Sequence, residues 1–321
     1  MEPSRNKELA TLAVLSTGLG NIEDKITKNH RKTLGLLRDI SKVKSYGVID
    51  ENIDKGIIKI ARAIGVIGAV VPSTNPIATP ANNIINSLKC GNAIIISPSP
   101  KGIAGCERLI HFIHAEFEKC GINKDLVQMI PAPGTKIKTQ QMLEETDLVI
   151  VTGTQNNVRR AYTSGTPAIG VGAGNVTVII DETSNLKDAA VKIAASKTFD
   201  NATSCSSENS LIIIDEIYDA FIKELSLVGC VTLEKSFQKK ITERLWKKGQ
   251  LNRDAVAQDA KKLIVALGLE SNVPEDTKII GIETDGIGEG YPLSGEKLSR
   301  VISIYRAKDF SDYIIKAEKM L

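Results

Sequence analysis

Val66-Ile-Gly-Ala-Val-Val71, then Pro72-Ser-Thr-Asn-Pro76, a segment of helical period near 77–89, and Ala93-Ile-Ile-Ile96 together decide the fold. Both apolar runs lack the polar alternation of a half-exposed strand, so each reads as a strand buried on both faces. Pro76 suits a helix start, because its fixed φ matches the first turn and its missing N–H has no partner to lose there. Strand, helix and strand in this order predict a parallel pair joined by a crossover.

The pattern extends downstream. Apolar runs recur at 126–130, 148–151 and 176–180, with helical periods near 102–120, 135–145 and 155–164. Over 102–120, Cys106, Leu109, Ile110, Ile113 and Phe117 share one stripe, and Gly121 then stops the helix. Buried strands separated by amphipathic helices predict an α/β fold with a doubly wound parallel sheet, an architecture that binds nucleotides. Upstream, residues 5–42 read as helix punctuated by Gly18 and Gly20. Residues 46–62 read as two short strands around Asp50-Glu-Asn-Ile-Asp-Lys-Gly56. A second strand–helix section begins after about residue 173. The expected division is a nucleotide domain over 1–172 and a second α/β domain over 173–321.

Bulk properties narrow the function. A chain of 321 residues can hold two domains, and 42% hydrophobic with 25% charged residues is a globular composition. A net charge of +3 and 4% aromatic residues argue against a nucleic-acid partner. The cysteines number five, an odd count with no C-x-x-C pair, which suits a reducing compartment without disulfides or zinc. The polar Met1-Glu-Pro-Ser-Arg5 start has no signal-peptide core, and no apolar run reaches membrane-spanning length. A cytoplasmic protein with no membrane or nucleic-acid partner and no metal is expected.

Cys205 is the outstanding candidate for chemistry. It sits in Asn201-Ala-Thr-Ser-Cys-Ser-Ser-Glu208, where small neighbours leave room for a substrate at sulfur. Cys90, Cys106, Cys120 and Cys230 fit buried, inert thiols. Asn75, between a strand end and Pro76, reads either as an ordinary helix N-cap or as an amide donor for an oxyanion. Gly170-Val-Gly-Ala-Gly174 reads either as a tight turn or as a place where backbone approaches a ligand closely. Gly153-Thr154 stands where a strand enters a helix, so its N–H groups suit a phosphate. His111 and His114, three apart on one helix, read as polar-face residues, since no third metal ligand accompanies them. The basic run Lys25 to Lys32 reads as a solvated helix face, with contact to an anionic ligand as the alternative.

Five blocks in order resemble the aldehyde dehydrogenase superfamily, and within it the CoA-acylating branch. They are Val70-Val-Pro-Ser-Thr-Asn-Pro76, Asn92 to Lys101, Tyr162 to Asn175, Phe199 to Asn209, and Glu296-Lys-Leu-Ser299. The resemblance implies a cofactor domain followed by a catalytic domain, with the 46–62 hairpin as an oligomerisation arm and a homo-oligomer, dimer or tetramer, as the assembly. It implies that Cys205 is the nucleophile and that Asn75 with the Cys205 N–H forms the oxyanion hole. It sets Ser97, Pro98, Ser99 and Pro100 beside the adenosine half of NAD or NADP, and Gly153 and Thr154 beside the pyrophosphate. Gly170, Val171 and Gly172 would line the cofactor, and Glu296 would meet the nicotinamide ribose. Coenzyme A is the implied co-substrate.

Three departures from the family pattern matter. Hydrolytic members carry a glutamate base where this chain has Gly170, so water is poorly activated against a thioester and the acyl group is directed to the CoA thiol. Arg300 replaces the usual proline after Glu296-Lys-Leu-Ser299, and Ser99 stands where many acylating relatives have histidine. The resemblance also implies a chain short at both ends, with the last catalytic strands falling beyond Leu321. Asn21 to Thr33, Thr79 to Asn83 and Phe199 to Cys205 look most like acylating sulfoacetaldehyde dehydrogenases. Acetaldehyde and succinate semialdehyde are the alternative substrates, a reductase of acyl phosphates is a neighbouring activity, and a non-catalytic nucleotide-binding or assembly module is the alternative of another class.

Overall fold

The structure, a computed structural model, describes residues 2–321. The chain divides into two compact units. The first ends at Ala173, and the second is Gly174–Leu321 together with Leu19–Asn21.

The first unit opens with helices α1 (Pro3–Thr17) and α2 (Ile22–Ile40). The Glu2 carboxylate accepts from the Ser4 and Arg5 N–H groups, and Gly18 at φ 71° ends α1 in the left-handed region that favours glycine. Strands β1 (Gly47–Asn52) and β2 (Ile57–Ala61) form an antiparallel hairpin, exposed along nearly its whole length. The alternation follows: β3 (Val66–Val71), α3 (Ala78–Lys89), β4 (Ala93–Pro98), α4 (Ile103–Cys120), β5 (Val127–Met129), α5 (Lys136–Glu145), β6 (Leu148–Thr152), α6 (Gln155–Tyr162) and β7 (Ala168–Val171).

The five strands β3 to β7 form one parallel sheet in the order β5-β4-β3-β6-β7. Ile67, Ala69 and Val71 pack with Ile94, Ile96, Cys106 and Phe117 on one face, while Val70 packs with Val149, Val151 and Leu143 on the other. Period-two alternation of apolar side chains therefore buries both faces, as the unbroken apolar runs require. Strand order reverses between β3 and β6, and the crevice at the carboxyl ends of such strands is where this architecture takes its ligand.

One expectation is corrected here. The glycine string is not a simple turn between strands. Gly170 and Val171 belong to edge strand β7, Gly172 and Ala173 link onward, and Gly174 opens the second unit. The apolar runs of the first sheet thus include 168–171, which its two exposed side chains, Ile169 and Val171, had disguised.

The second unit contains β8 (Val176–Ile180), α7 (Leu186–Thr198), β9 (Glu208–Ile214), α8 (Tyr218–Leu227), β10 (Cys230–Leu233), α9 (Gln238–Leu245), the small hairpin β11 (Trp246–Lys247) and β12 (Gln250–Leu251), α10 (Ala260–Leu267), β13 (Ile279–Glu283), β14 (Val301–Ala307) and α11 (Phe310–Met320). Its main sheet is also parallel, in the order β10-β13-β14-β9-β8. Leu211, Ile213, Ile302 and Ile304 face Phe221 and Leu225, whereas Ile212 and Tyr305 face Tyr313 and Met320. Pairing of β9 with β14 sets the residues that precede the two strands, Cys205 and Glu296, at the same end of one sheet.

Candidate functional site

The candidate residues fall into two sets, one in each unit. In the first unit, Asn75 follows the carboxyl end of β3. Its side chain does not cap α3, which begins at Ala78 without a side-chain cap. Instead its Oδ1 accepts from Lys28 Nζ at 3.1 Å, while its backbone carbonyl accepts from the Thr79 N–H at 3.4 Å. Lys25 Nζ donates to the neighbouring Thr74 carbonyl at 3.4 Å. The N-cap reading of Asn75 is thereby excluded.

The basic run on α2 is also corrected. Lys25, Lys28 and Asn29 are buried and only His30, Arg31 and Lys32 face solvent, so the run is divided by helical period rather than solvated throughout.

Ser97, Pro98, Ser99 and Pro100 lie at the carboxyl end of β4, where Pro100 starts a short 3-10 turn. Ser97 shares a hydrogen bond with Thr139 at 2.9 Å, and Ser99 Oγ is buried without a partner. Gly153 and Thr154 follow β6, and the Thr154 side chain makes no capping bond to α6; the Asn157 N–H donates to the Thr154 carbonyl at 2.9 Å, so only the Gln155 and Asn156 N–H groups of the first turn are open to a ligand. Gly172 follows β7. The topology therefore brings Asn75, Ser97–Pro100, Gly153–Thr154 and Gly172 to one edge of the first sheet. An unpartnered buried hydroxyl and an uncapped helix start at the switch point fit a dinucleotide. A separate cavity of about 800 Å³ lies between α5 and α6, lined by Lys136, Gln140, Glu144, Asn157 and Arg160 among others. It contains none of these residues, and no sequence signal pointed to it.

In the second unit, Cys205 lies in a turn closed by the Ser207 N–H donating to the Ser204 carbonyl at 3.0 Å, and it is exposed. The approach to it is unusual. Asp200, Asn201 and Ala202 have φ of 47°, 53° and 58°, three successive left-handed residues with no glycine among them. Such conformations cost on the order of 1–3 kcal/mol each and persist only where neighbours enforce them. Here Asp200 is fully buried, accepts from the Asn21 N–H at 3.0 Å, and has its carbonyl bonded by Thr203 N–H and Oγ1. The residues that place Asn21 beside Asp200 explain why Leu19–Asn21 belong with the second unit.

Arg300 Nη2 donates to Asn201 Oδ1 at 2.6 Å and to the Thr198 carbonyl at 3.2 Å. Burial pushes the Glu296 carboxyl above its ordinary value, opposed by the Gly174 N–H it accepts from and by Lys197. Lys197 and Lys297 are both fully buried. Lys197 donates to the Glu208 carbonyl, and burial lowers its pKa to about 7. Lys297 Nζ donates to the Asn209 and Gly295 carbonyls, each at 2.9 Å, and its N–H donates to Asn209 Oδ1 at 3.0 Å. Burial and nearby Lys197 push the Lys297 pKa far down. These two lysines clasp the start of β9, just past Cys205. Sequence reasoning missed them, although Ala190, Ile193, Ala194 and Lys197 share the stripe that α7 turns inward.

The other cysteines divide. Cys106 and Cys230 are buried, and burial pushes both thiols up to about 12. Cys90 is half-buried, and Cys120 is exposed at the end of α4, contrary to the expectation of a buried thiol. His114 Nε2 donates to the Val127 carbonyl at 2.7 Å, a structural bond.

A parallel switch-point sheet joined in sequence to a second parallel sheet, with an exposed cysteine ahead of the strand next to that sheet's edge, defines a class of α/β proteins built from two parallel-sheet units. The model of the aldehyde dehydrogenase family matches residues 3–228, and the chain belongs to that family. It is 52% identical over 311 residues to an acylating sulfoacetaldehyde dehydrogenase from Cupriavidus necator, covering 97% of this chain and 63% of that protein. It is similar to an acetylating aldehyde dehydrogenase from Geobacillus thermoglucosidasius, with TM-score 0.93, 32% identity, and coverage of 99% of this chain and 70% of the other. It is also similar to a propionaldehyde dehydrogenase from Rhodopseudomonas palustris with bound CoA and an acylated cysteine, with TM-score 0.82, 26% identity, and coverage of 98% and 71%. The chain thus spans a little under two thirds of the Cupriavidus protein. Among the described residues no helix is long and apolar enough to cross a membrane.

Proposed function

We propose that this chain carries the cofactor-binding and nucleophile-bearing parts of a CoA-acylating aldehyde dehydrogenase, which converts sulfoacetaldehyde to sulfoacetyl-CoA with NAD(P)+. The observation that carries the acylating reading is Gly170. The chain offers no carboxylate base there, and a Cβ would meet Val158 Cγ1 at 2.7 Å and Tyr162 Cε2 at 3.0 Å, so a side chain enters that position only if its neighbours shift. The 52% identity to the Cupriavidus enzyme favours sulfoacetaldehyde, and the Geobacillus likeness keeps acetaldehyde as the second substrate to assay.

The chemistry follows from the residues. By the family resemblance the Cys205 thiolate would attack the aldehyde carbonyl carbon, and the Asn75 amide N–H and the Cys205 backbone N–H would donate to the oxygen as it becomes anionic. By the same resemblance Ser97–Pro100, Gly153–Thr154 and Glu296 would hold NAD(P)+, which would supply the two-electron acceptor for the hydrogen leaving the tetrahedral carbon. The oxyanion collapses to a thioester on Cys205. The CoA thiol then attacks that carbonyl, the Cys205 sulfur leaves as thiolate, the thiol proton passes to solvent, and acyl-CoA is released. With water excluded as an activated nucleophile, the thioester lasts long enough for CoA to arrive. The exposed β1–β2 hairpin, with Val48, Ile57, Ile58 and Ile60 on its surface, supports assembly into a homo-oligomer, and the odd set of free cysteines supports a cytoplasmic setting.

The test is NAD(P)H formation from sulfoacetaldehyde, acetaldehyde and succinate semialdehyde, each with and without CoA. Turnover that requires CoA and disappears in Cys205→Ser is expected. Turnover to free acid without CoA would replace this reading with a hydrolytic dehydrogenase. Cofactor binding by calorimetry with neither burst nor turnover would replace it with a nucleotide-binding module.

A further inference from the structure

We propose that Lys28 is a positioning residue that fixes the orientation of the Asn75 side-chain amide. The inference rests on the oxyanion role given to Asn75 above. An asparagine amide is nearly symmetric in shape, but its two ends are chemically opposite: Oδ1 only accepts and Nδ2 only donates. One orientation offers N–H to a developing oxyanion, whereas the flipped one presents a carbonyl oxygen that repels it. A lysine ammonium has three donors and no acceptor. Its contact at 3.1 Å therefore selects Oδ1 and turns Nδ2 to the opposite edge of the amide.

Three further observations support the assignment. Lys28 is only 4% exposed, and burying an ammonium is costly unless it is hydrogen-bonded, so the position is not chosen for apolar packing. Lys25, three residues earlier on the same face of α2, donates to the Thr74 carbonyl, so α2 grips the peptide that carries Asn75 as well as its side chain. The Asn75 carbonyl is tied to the Thr79 N–H, which leaves the side-chain torsions as the freedom still to be fixed. Fixing a donor before the charge develops is what makes an oxyanion contact effective, because no reorganisation remains at the moment of reaction.

The experiment compares Lys28→Met, Lys28→Arg, Asn75→Ala and the double substitution Lys28→Met with Asn75→Ala. Lys28→Met is expected to lower kcat by roughly tenfold to a hundredfold, below the roughly hundredfold to thousandfold of a lost oxyanion donor because the amide is misoriented only part of the time. KM for the aldehyde should stay within about twofold, and Lys28→Arg should recover much of the loss. In the Asn75→Ala background the lysine substitution should cost nothing further, since the residue it acts through is gone. The loss should be the same for acetaldehyde and sulfoacetaldehyde. Additive losses in the double substitution, or a KM increase confined to the sulfonated aldehyde, would overturn the proposal, the second by making Lys28 a substrate contact. Neutron crystal structures of the unsubstituted chain and Lys28→Met (or Lys28→Gln, should the former not fold), in which the amide deuterons distinguish Nδ2 from Oδ1, supply a readout free of turnover. The Asn75 amide should leave its orientation when the ammonium is removed, and an unmoved amide refutes the positioning role. A chain that makes no acyl-CoA would refute the proposed function, while the crystallographic comparison would still decide on Lys28.

Discussion

Arg300 donates to Asn201 Oδ1 at 2.6 Å, and Asn201 is the middle of three consecutive left-handed residues. One guanidinium thus joins the loop that follows Glu296 to the strained segment that leads into Cys205. The family resemblance has proline at this position, which offers no donor. In this chain the substitution has become a clamp on the turn, directed at Asn201 and Thr198.

Arg300→Ala is expected to destabilise the fold by about 2–3 kcal/mol, the cost of losing charge-assisted bonds that restrain a strained backbone. Denaturant unfolding monitored by circular dichroism measures it. An unchanged midpoint would mean that Asp200–Ala202 is held without Arg300.

Thiol accessibility separates the cysteines. Iodoacetamide under native conditions should alkylate Cys205 and Cys120, which are exposed, and leave Cys106 and Cys230 unmodified until the protein unfolds. Those two thiols are buried and pushed up to about 12, so they are neither reachable nor ionised. Peptide mass spectrometry reads the sites. Native labelling of Cys106 as fast as Cys205 would contradict the packing around α4.

Lys197 makes stability depend on pH with a definite sign. Its pKa falls from 10.5 to about 7 on folding. Below about 7 both folded and unfolded chains carry the proton, and the penalty of the buried ammonium is complete. Between 7 and 10.5 the unfolded chain binds more protons than the folded one, so stability rises with pH and the penalty fades. The stability of the unsubstituted chain minus that of Lys197→Met should therefore increase from pH 7 to pH 10, by up to about 4 kcal/mol. Urea unfolding across that range measures the difference, and a flat or falling difference would show Lys197 charged throughout.

Much of the fold was legible because burial leaves a strong sequence mark. The runs at 66–71, 93–96 and 148–151 are apolar on both faces, and only a strand covered by helices on both sides tolerates that. β7 was obscured because Ile169 and Val171, at an edge, face outward, while the glycines around them mimic a turn. The reversal that gives Leu19–Asn21 to the second unit was illegible, since it depends on a backbone N–H meeting Asp200 across 179 positions. Among the candidate residues, Cys205 and Asn75 were nominated by residue type and order alone. The groups that hold them were not. Lys28, Lys197 and Lys297 look like surface residues by composition, and only helical phase and tertiary contacts turn them inward.

Gly170→Glu restores the residue type that hydrolytic family members carry, and it is expected not to restore their chemistry. The new Cβ would lie 2.7 Å from Val158 Cγ1 and 3.0 Å from Tyr162 Cε2. Tyr162 is 59% exposed and its ring can swing aside, but Val158 is only 8% exposed and packs with Val149 and Val151 behind β6. Its branched side chain has few alternative rotamers on a helix, so β7 must move away from α6 instead. Overpacking of this kind costs about 1–3 kcal/mol. It also displaces Gly172, which follows in the same strand end, from the edge assigned to the cofactor. The variant should lose thermal stability, bind NAD(P)+ more weakly, and release no more free acid in the absence of CoA than the unsubstituted chain. Release of acid at a rate matching CoA-dependent turnover would show that the carboxylate reaches the thioester, and that the close packing at Gly170 does not determine where the acyl group goes.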